Sequence, residues 1–284
     1  MCRKKADVRV EVARYAGVCY GVERALRLAE EAAHSGGAVH TLGPLIHNPQ
    51  AVEALRDKGV EVARSLDDVD TGTLVIRSHG VDPTIIEEAR ARGLRVVDAT
   101  CPHVSKAHEA AETLKTEGYS VVIVGEADHP EVEGIMAHAG GEALVIESVA
   151  EIPERLPSRR IGVVVQTTQS EALLAQVVAA LVPRVSELRV HNTICSATGK
   201  RQRSAAELAE GVDVVVVVGG HNSGNTARLV EICREINPRT HHVETADDLD
   251  AVWFAGAQVV GVAAGASTPA QQMQGVIQAI ESME

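Results

Sequence analysis

Short apolar runs return along this chain with a helical pattern after nearly every one, and that alternation constrains the fold more than any other feature. Strand-like runs lie at Val8 to Val12, Thr73 to Ile76, Val121 to Gly125, Gly162 to Val165, Val214 to Gly219 and Val259 to Ala263. Between them, helical patterns cover 22–33, 49–58, 83–92, 104–116, 170–181, 200–209, 226–236 and 270–280. Val22, Leu26 and Ala29 share one helical face, as do Ser204 and Leu208. Strands that alternate with helices form parallel sheets through right-handed crossovers. Of the 284 residues 45% are hydrophobic, almost all of them Val, Ala, Leu and Ile, which suits strands buried on both faces.

The formal net charge of −12 argues against a nucleic-acid surface, because phosphate backbones are held by clustered Lys and Arg. An anionic small molecule must then be captured by local groups such as helix N-termini, histidines and hydroxyls. No apolar run is long enough to span a membrane. Met1-Cys2-Arg3-Lys4-Lys5 leads into Ala6-Asp7 and a strand pattern without an apolar signal core, so the expected location is cytoplasmic.

The five cysteines lack the short, regular spacing of a disulfide framework. Cys2 is near a terminus expected to fray, and Cys233 sits in a helical pattern with Leu229, Ile232 and Ile236 and reads as core. Cys19, Cys101 and Cys195 differ from both. They stand 82 and 94 residues apart, each in a short loop of small or turn residues before a helical pattern. The spacing is too long for a local zinc clip and suits one cysteine from each of three α/β units around a cleft. Three thiolates can hold a 4Fe-4S cluster, which takes four ligands, and would leave one iron open to substrate. The expected units are 20–101, 102–195 and 196–284, with 8–19 alongside the last.

Several polar loops sit where α/β proteins bind ligands, at the carboxyl ends of strands. Asp128-His129-Pro130-Glu131-Val132-Glu133-Gly134 follows one strand. In an extended loop His129 and Glu131 could face one cleft, the carboxylate relaying protons and the imidazole holding an anion; a capped, solvated turn is the plainer alternative. His47 and His79 occupy comparable positions. Val214–Val218 runs into Gly219-Gly220-His221-Asn222-Ser223-Gly224-Asn225-Thr226, where backbone amides and short polar side chains can cradle phosphate. It is not a Walker A loop, since the Gly-Lys-Ser/Thr ending is missing. Ser267, in Ala264-Gly265-Ala266-Ser267-Thr268-Pro269, could cap a helix, bind phosphate or do both. Thr167, in Gln166-Thr167-Thr168-Gln169-Ser170, could satisfy helix-end amides or pass a proton between Glu131 and a ligand.

In order, the segments Ala16–Ala25, Ile46–Asn48, Ser78–Val81, Asp98–Pro102, His129–Gly134, Gln166–Thr168, Ile194–Thr198, Asn222–Thr226 and Ala264–Ser267 resemble the motifs of the 4-hydroxy-3-methylbut-2-enyl diphosphate reductase family. The resemblance implies an α/β trefoil of three pseudo-repeated domains with parallel sheets around a central cavity, where Cys19, Cys101 and Cys195 hold the 4Fe-4S cluster. It implies reductive removal of the substrate's allylic hydroxyl to give isopentenyl and dimethylallyl diphosphate, the last step of the methylerythritol phosphate pathway of isoprene biosynthesis. His47, His79, His129, Ser223, Gly224, Asn225 and Ser267 match diphosphate-binding positions; Glu131 matches the proton-delivering acid and Thr167 its hydroxyl partner. Reduced ferredoxin or flavodoxin is the implied electron donor. At Gly224 many relatives carry a second serine, and at Tyr20 several carry a small residue. Two other readings share the three thiolates: a dehydratase or synthase like quinolinate synthase, and a non-catalytic redox sensor or structural zinc protein. The synthase has no need of the acid loop and phosphate cradle in this order; metal analysis separates zinc from iron, and turnover separates a sensor from an enzyme.

Overall fold

The computed structural model describes residues 8–283, so Cys2 lies outside the described residues. These form two compact units, one of residues 8–19, 47–51 and 196–283 and the other of 20–46 and 52–195.

The larger unit holds two four-stranded parallel sheets. The first joins β2 (Val39–Leu42), β3 (Val60–Ala63), β4 (Thr73–Ile76) and β5 (Arg95–Asp98) in the order β3-β2-β4-β5. The second joins β6 (Ser120–Val124), β7 (Leu144–Ile146), β8 (Arg160–Val165) and β9 (Glu187–His191) in the order β7-β6-β8-β9. Its connecting helices include α1 (Tyr20–His34), α3 (Pro83–Ala91), α4 (Pro102–Thr116), α5 (Pro130–His138) and α6 (Glu171–Leu181). The central strands β4, β6 and β8 are buried almost throughout, as parallel strands covered on both faces must be. Val121 and Ile123 pack under α4 and α5, while Val122 and Val124 pack under α6.

The smaller unit holds the third sheet, of β1 (Arg9–Val12), β10 (Val214–Val218), β11 (Thr240–Val243) and β12 (Val259–Ala264), in the order β1-β12-β10-β11, all parallel. The helices α7 (Ser196–Gly211), α8 (Gly224–Ile236) and α9 (Ala270–Ser282) belong to it; α2 (Pro49–Arg56) begins in this unit and ends in the other. Alternate valines of β10 feed two cores: Val214, Val216 and Val218 meet Val276 and Ile280 of α9, while Val215 and Val217 meet Ala205, Ala209 and Leu229. Cys233 belongs to the second core, where burial pushes its thiol up to about 11, so it is an inert core residue as expected.

The three sheets share one order. Numbering each sheet's strands 1 to 4, the order is 2-1-3-4 every time, provided that the N-terminal strand β1 counts as the fourth strand of the third sheet. Strands 1 and 3 are neighbours whose outgoing connections part in opposite directions, the place where open α/β sheets bind ligands.

Two expectations change. Residues 130–138 are the helix α5, not an extended loop: Pro130 occupies its first position and His129 its N-cap. Six strands escape the sequence pattern, namely β2, β3, β5, β7, β9 and β11. They are three to five residues long and, unlike the buried central strands, most alternate or mix buried and open positions, so no apolar run marks them.

Candidate active site

Every candidate residue follows strand 1, 3 or 4 of a sheet. After strand 1 come His47, His129 with Glu131, and Ser223-Gly224-Asn225; after strand 3 come His79, Thr167 and Ser267. After strand 4 come the cysteines, Cys101 behind β5, Cys195 behind β9 and Cys19 behind β1. One hydrogen bond recurs in all three sheets. The cysteine N–H donates to a carbonyl in the loop after strand 3: Cys19 to Ala266 at 3.0 Å, Cys101 to Ser78 at 2.9 Å and Cys195 to Thr167 at 2.9 Å. The three thiols therefore hold equivalent positions, each half-buried and reachable, unlike that of Cys233.

In the larger unit the chemistry gathers around Glu131, in the first turn of α5 and only 2% exposed. The Thr167 amide donates to its Oε1 at 2.6 Å and the Thr167 hydroxyl to its Oε2 at 2.9 Å. Burial pushes the carboxyl up to about 7, with the nearby Glu126 charge adding to the rise; the Thr167 bonds pull the other way and lose. A carboxyl so placed still holds its proton in about half of the molecules at neutral pH, where an ordinary carboxyl has lost it. The solvated-turn alternative for this segment is overturned by that burial, and Thr167 serves Glu131 while Ser170 caps α6.

His129 accepts the Glu131 N–H at Nδ1, 3.0 Å, so in its neutral form the proton sits on Nε2. His79 meets it edge to face with ring centroids 5.5 Å apart. Gln166, fully buried, accepts the Glu126 N–H at 2.9 Å and donates to Thr168 Oγ1 at 3.1 Å, bracing the loops after β6 and β8 against each other.

Cys101 is the N-cap of α4, with Pro102 as the first helical residue. Such an end favours a negatively charged sulfur. Gly21 in the first turn of α1 leaves the sulfur its space, since a Cβ there would lie 2.4 Å from Cys101 Sγ. A glycine inside a helix costs about 1 kcal/mol against alanine. Gly21 lies just before the helical pattern at 22–33, so only the fold shows both that it is helical and the sulfur it makes room for.

The smaller unit carries the cradle. Ser223 caps α8, its Oγ accepting the Thr226 N–H at 3.3 Å. Asn225, 4% exposed in the first turn, has no hydrogen-bond partner for either side-chain nitrogen or oxygen. A buried primary amide with four idle hydrogen-bonding sites is costly unless a ligand engages it. Ser267 does not cap α9, whose N-cap is Pro269; its hydroxyl donates to the His47 carbonyl at 2.9 Å, keeping lone pairs for a further donor. Asn48, fully buried, fixes this loop: its Oδ1 accepts the Ala51 N–H at 2.8 Å and its Nδ2 donates to Gln272 at 2.9 Å.

The three cysteine positions suit an iron–sulfur group in kind: soft thiolate ligands, equivalently placed, accessible, and in one case with room cleared at the sulfur. Among the described residues, no three His, Cys, Asp or Glu side chains are grouped as a metal-ion site.

The family model described as LytB protein matches residues 10–281, almost the whole chain. The chain belongs to the LytB family. It is 51% identical over 262 residues to the 4-hydroxy-3-methylbut-2-enyl diphosphate reductase of Pelobacter propionicus, covering 92% of this chain and 94% of that one. It is 51% identical over 279 residues, 98% of both chains, to the enzyme of the same name from Geobacter sp. strain M21. A solved structure of (E)-4-hydroxy-3-methyl-but-2-enyl diphosphate reductase, described as the terminal enzyme of the non-mevalonate pathway, matches with TM-score 0.72 and 46% identity over 96% of this chain and 99% of that one. The corresponding reductase structure from Plasmodium falciparum matches with TM-score 0.90 and 26% identity over 96% and 87%. These likenesses favour the reductase reading over the synthase and sensor alternatives. No helix among the described residues is long and apolar enough to cross a membrane.

Proposed function

We infer that the chain is a 4-hydroxy-3-methylbut-2-enyl diphosphate reductase, an iron–sulfur oxidoreductase that removes the allylic hydroxyl of its substrate to give isopentenyl and dimethylallyl diphosphate. The observation that carries the mechanism is the Glu131–Thr167 pair: a buried carboxyl whose pKa is raised to about 7, held through both oxygens by one residue.

Replacing an allylic hydroxyl by hydrogen needs an electron pair, a proton that lets the oxygen leave as water, and a further proton that ends on the allylic carbon. In this reading Cys19, Cys101 and Cys195 hold a 4Fe-4S cluster, which when bound supplies the electrons and, at its open iron, a Lewis acid for the oxygen. Glu131 supplies the proton. Its raised pKa keeps that proton on the carboxyl closer to neutrality, where the departing oxygen can take it. Thr167, bonded to the carboxyl, fixes its direction and offers a hydroxyl through which the proton can pass.

The diphosphate end is assigned to His47, His79, His129, Ser223, Gly224, Asn225 and Ser267. Asn225 finds there the partners it lacks, and His129 donates from Nε2 because Nδ1 is occupied by the Glu131 amide. Gly224, which opens α8, contributes its backbone N–H. Binding energy from this remote group offsets the entropic cost of holding the reacting carbon in place. The electron donor in this reading is reduced ferredoxin or flavodoxin, the setting cytoplasmic, and the domain division 20–101, 102–195 and 196–284 with 8–19.

The test is anaerobic turnover of the cluster-reconstituted protein with dithionite and a viologen mediator, assayed for five-carbon diphosphate products. Product from the wild type that vanishes in Glu131→Gln is expected. An intact cluster with no product from the wild type would overturn the reading.

A further inference from the structure

His108, in the middle of α4, stands seven residues after Cys101 and has no place in the proposed proton or phosphate machinery. It is 6% exposed and lies among the small apolar residues Ala107, Ala110 and Ala111, which join α4 to Val132 and Ile135 of α5. Its ring stacks on His138, the last residue of α5, with centroids 4.3 Å apart and planes 18° from parallel.

The other edge of the ring explains its position. A Cβ on Gly134 would lie 2.8 Å from His108 Nε2 and 3.4 Å from the His79 carbonyl. A Cβ on Gly80 would lie 2.4 Å from His108 Cε1. One flat edge therefore fills a slot that exists because residues 80 and 134 are both glycine. Gly80 follows His79, and Gly134 lies one turn after Glu131 on the helix that His129 caps. Arg77 ties the same two elements, donating from Nε to the Gly80 carbonyl and from its guanidinium to Glu133, both at 3.3 Å.

We propose that His108 is a positioning residue for the reductase reaction: it is the wedge that sets the separation of the His79 turn from the helix carrying His129 and Glu131. The inference rests on the reductase reading and adds to it a residue that touches no reacting atom. The ring suits the task because it is thin and uncharged; burial drives its pKa down to about 4. Its Nε2 is buried without a hydrogen-bond partner, a cost that an apolar side chain would avoid and that marks shape as the property in use.

The experiment is a double-mutant cycle in the cluster-loaded protein with His108→Ala, Gly134→Ala and both. Iron content, substrate Kd by calorimetry without reductant, and viologen-driven kcat are read for each. His108→Ala should keep its iron, weaken substrate binding and lower kcat, each by about tenfold, since sub-ångström misplacement of binding and proton-donating groups is enough for that. Gly134→Ala should do similar harm by forcing its methyl into the imidazole. In the double variant the methyl enters vacated space, so it should be no worse than His108→Ala alone. Unchanged Kd in His108→Ala, losses that multiply in the double variant, or a kcat that falls only in proportion to lost iron would each overturn the wedge. A wild type that binds substrate without turning it over would instead count against the reductase reading.

Discussion

Replacing Glu131 with Gln keeps the shape of the side chain and removes its titration, which isolates the energy stored in the buried carboxyl. The carboxyl stands at about 7 in the folded protein against 4.5 for the ordinary group. Between those values the unfolded chain has released the proton and the folded one has not, so stability falls as pH rises through the window. At 1.36 kcal/mol per pH unit the full span is about 3 kcal/mol. Below pH 4.5 the two proteins should be nearly equally stable, because the protonated acid and the amide make the same kind of contacts with Thr167. Above pH 7 the variant should be the more stable by that amount, while its turnover is lost. The assay is urea unfolding of both cluster-loaded proteins under nitrogen at pH values across the window; taking the difference cancels every other titrating group. The carboxyl carbonyl stretch in infrared difference spectra follows the same proton directly. A flat stability difference, or one favouring the wild type as pH rises, would mean that the Thr167 bonds hold Glu131 as an ordinary carboxylate, and the proton-donor argument would fail.

Thr167→Val removes the hydroxyl bond to Oε2 and keeps the amide bond to Oε1; because the lost bond holds the carboxyl down, the alkaline limb of the kcat–pH profile should move upward, with kcat about tenfold lower. An unmoved limb would detach Thr167 from the acid. Gly21→Ala puts a methyl where Cys101 Sγ already lies, 2.4 Å away, so iron per chain after anaerobic reconstitution should drop although alanine is the better helix former; full iron content would show that the sulfur has room to move. Asn225→Ala deletes an amide with no partner in the fold, so unfolding should shift little while substrate Kd rises roughly 10- to 100-fold, the worth of a hydrogen bond to a charged group at 1.5–3 kcal/mol. A large stability loss with unchanged Kd would make Asn225 structural.

Much of the architecture is written in local pattern. The buried central strands β4, β6, β8, β10 and β12 are apolar because both faces are covered, and they stand out as Val-rich runs. Among the described residues, eight of the nine α-helices follow from the helical patterns in the sequence. The ninth, α5, carries the acid; its opening His-Pro-Glu-Val-Glu reads as a turn, and the burial of Glu131 contradicts the usual pattern of charged residues facing water. Edge strands such as β5 and β9 are short and partly open, so the fact that each cysteine follows the fourth strand of a sheet emerges only from strand order.

The sequence by itself determined the alternating α/β class, the three cysteines in like settings and the ordered set of polar loops, because those depend on residue type and on spacing along the chain. Only the tertiary structure decided that Thr167 serves Glu131 and does not cap a helix, that Ser267 turns to the His47 carbonyl, and that glycines at 21 and 134 make room for Cys101 and His108. These are contacts between segments tens of residues or more apart, and a raised carboxyl pKa is a property of the surroundings that exclude water from it.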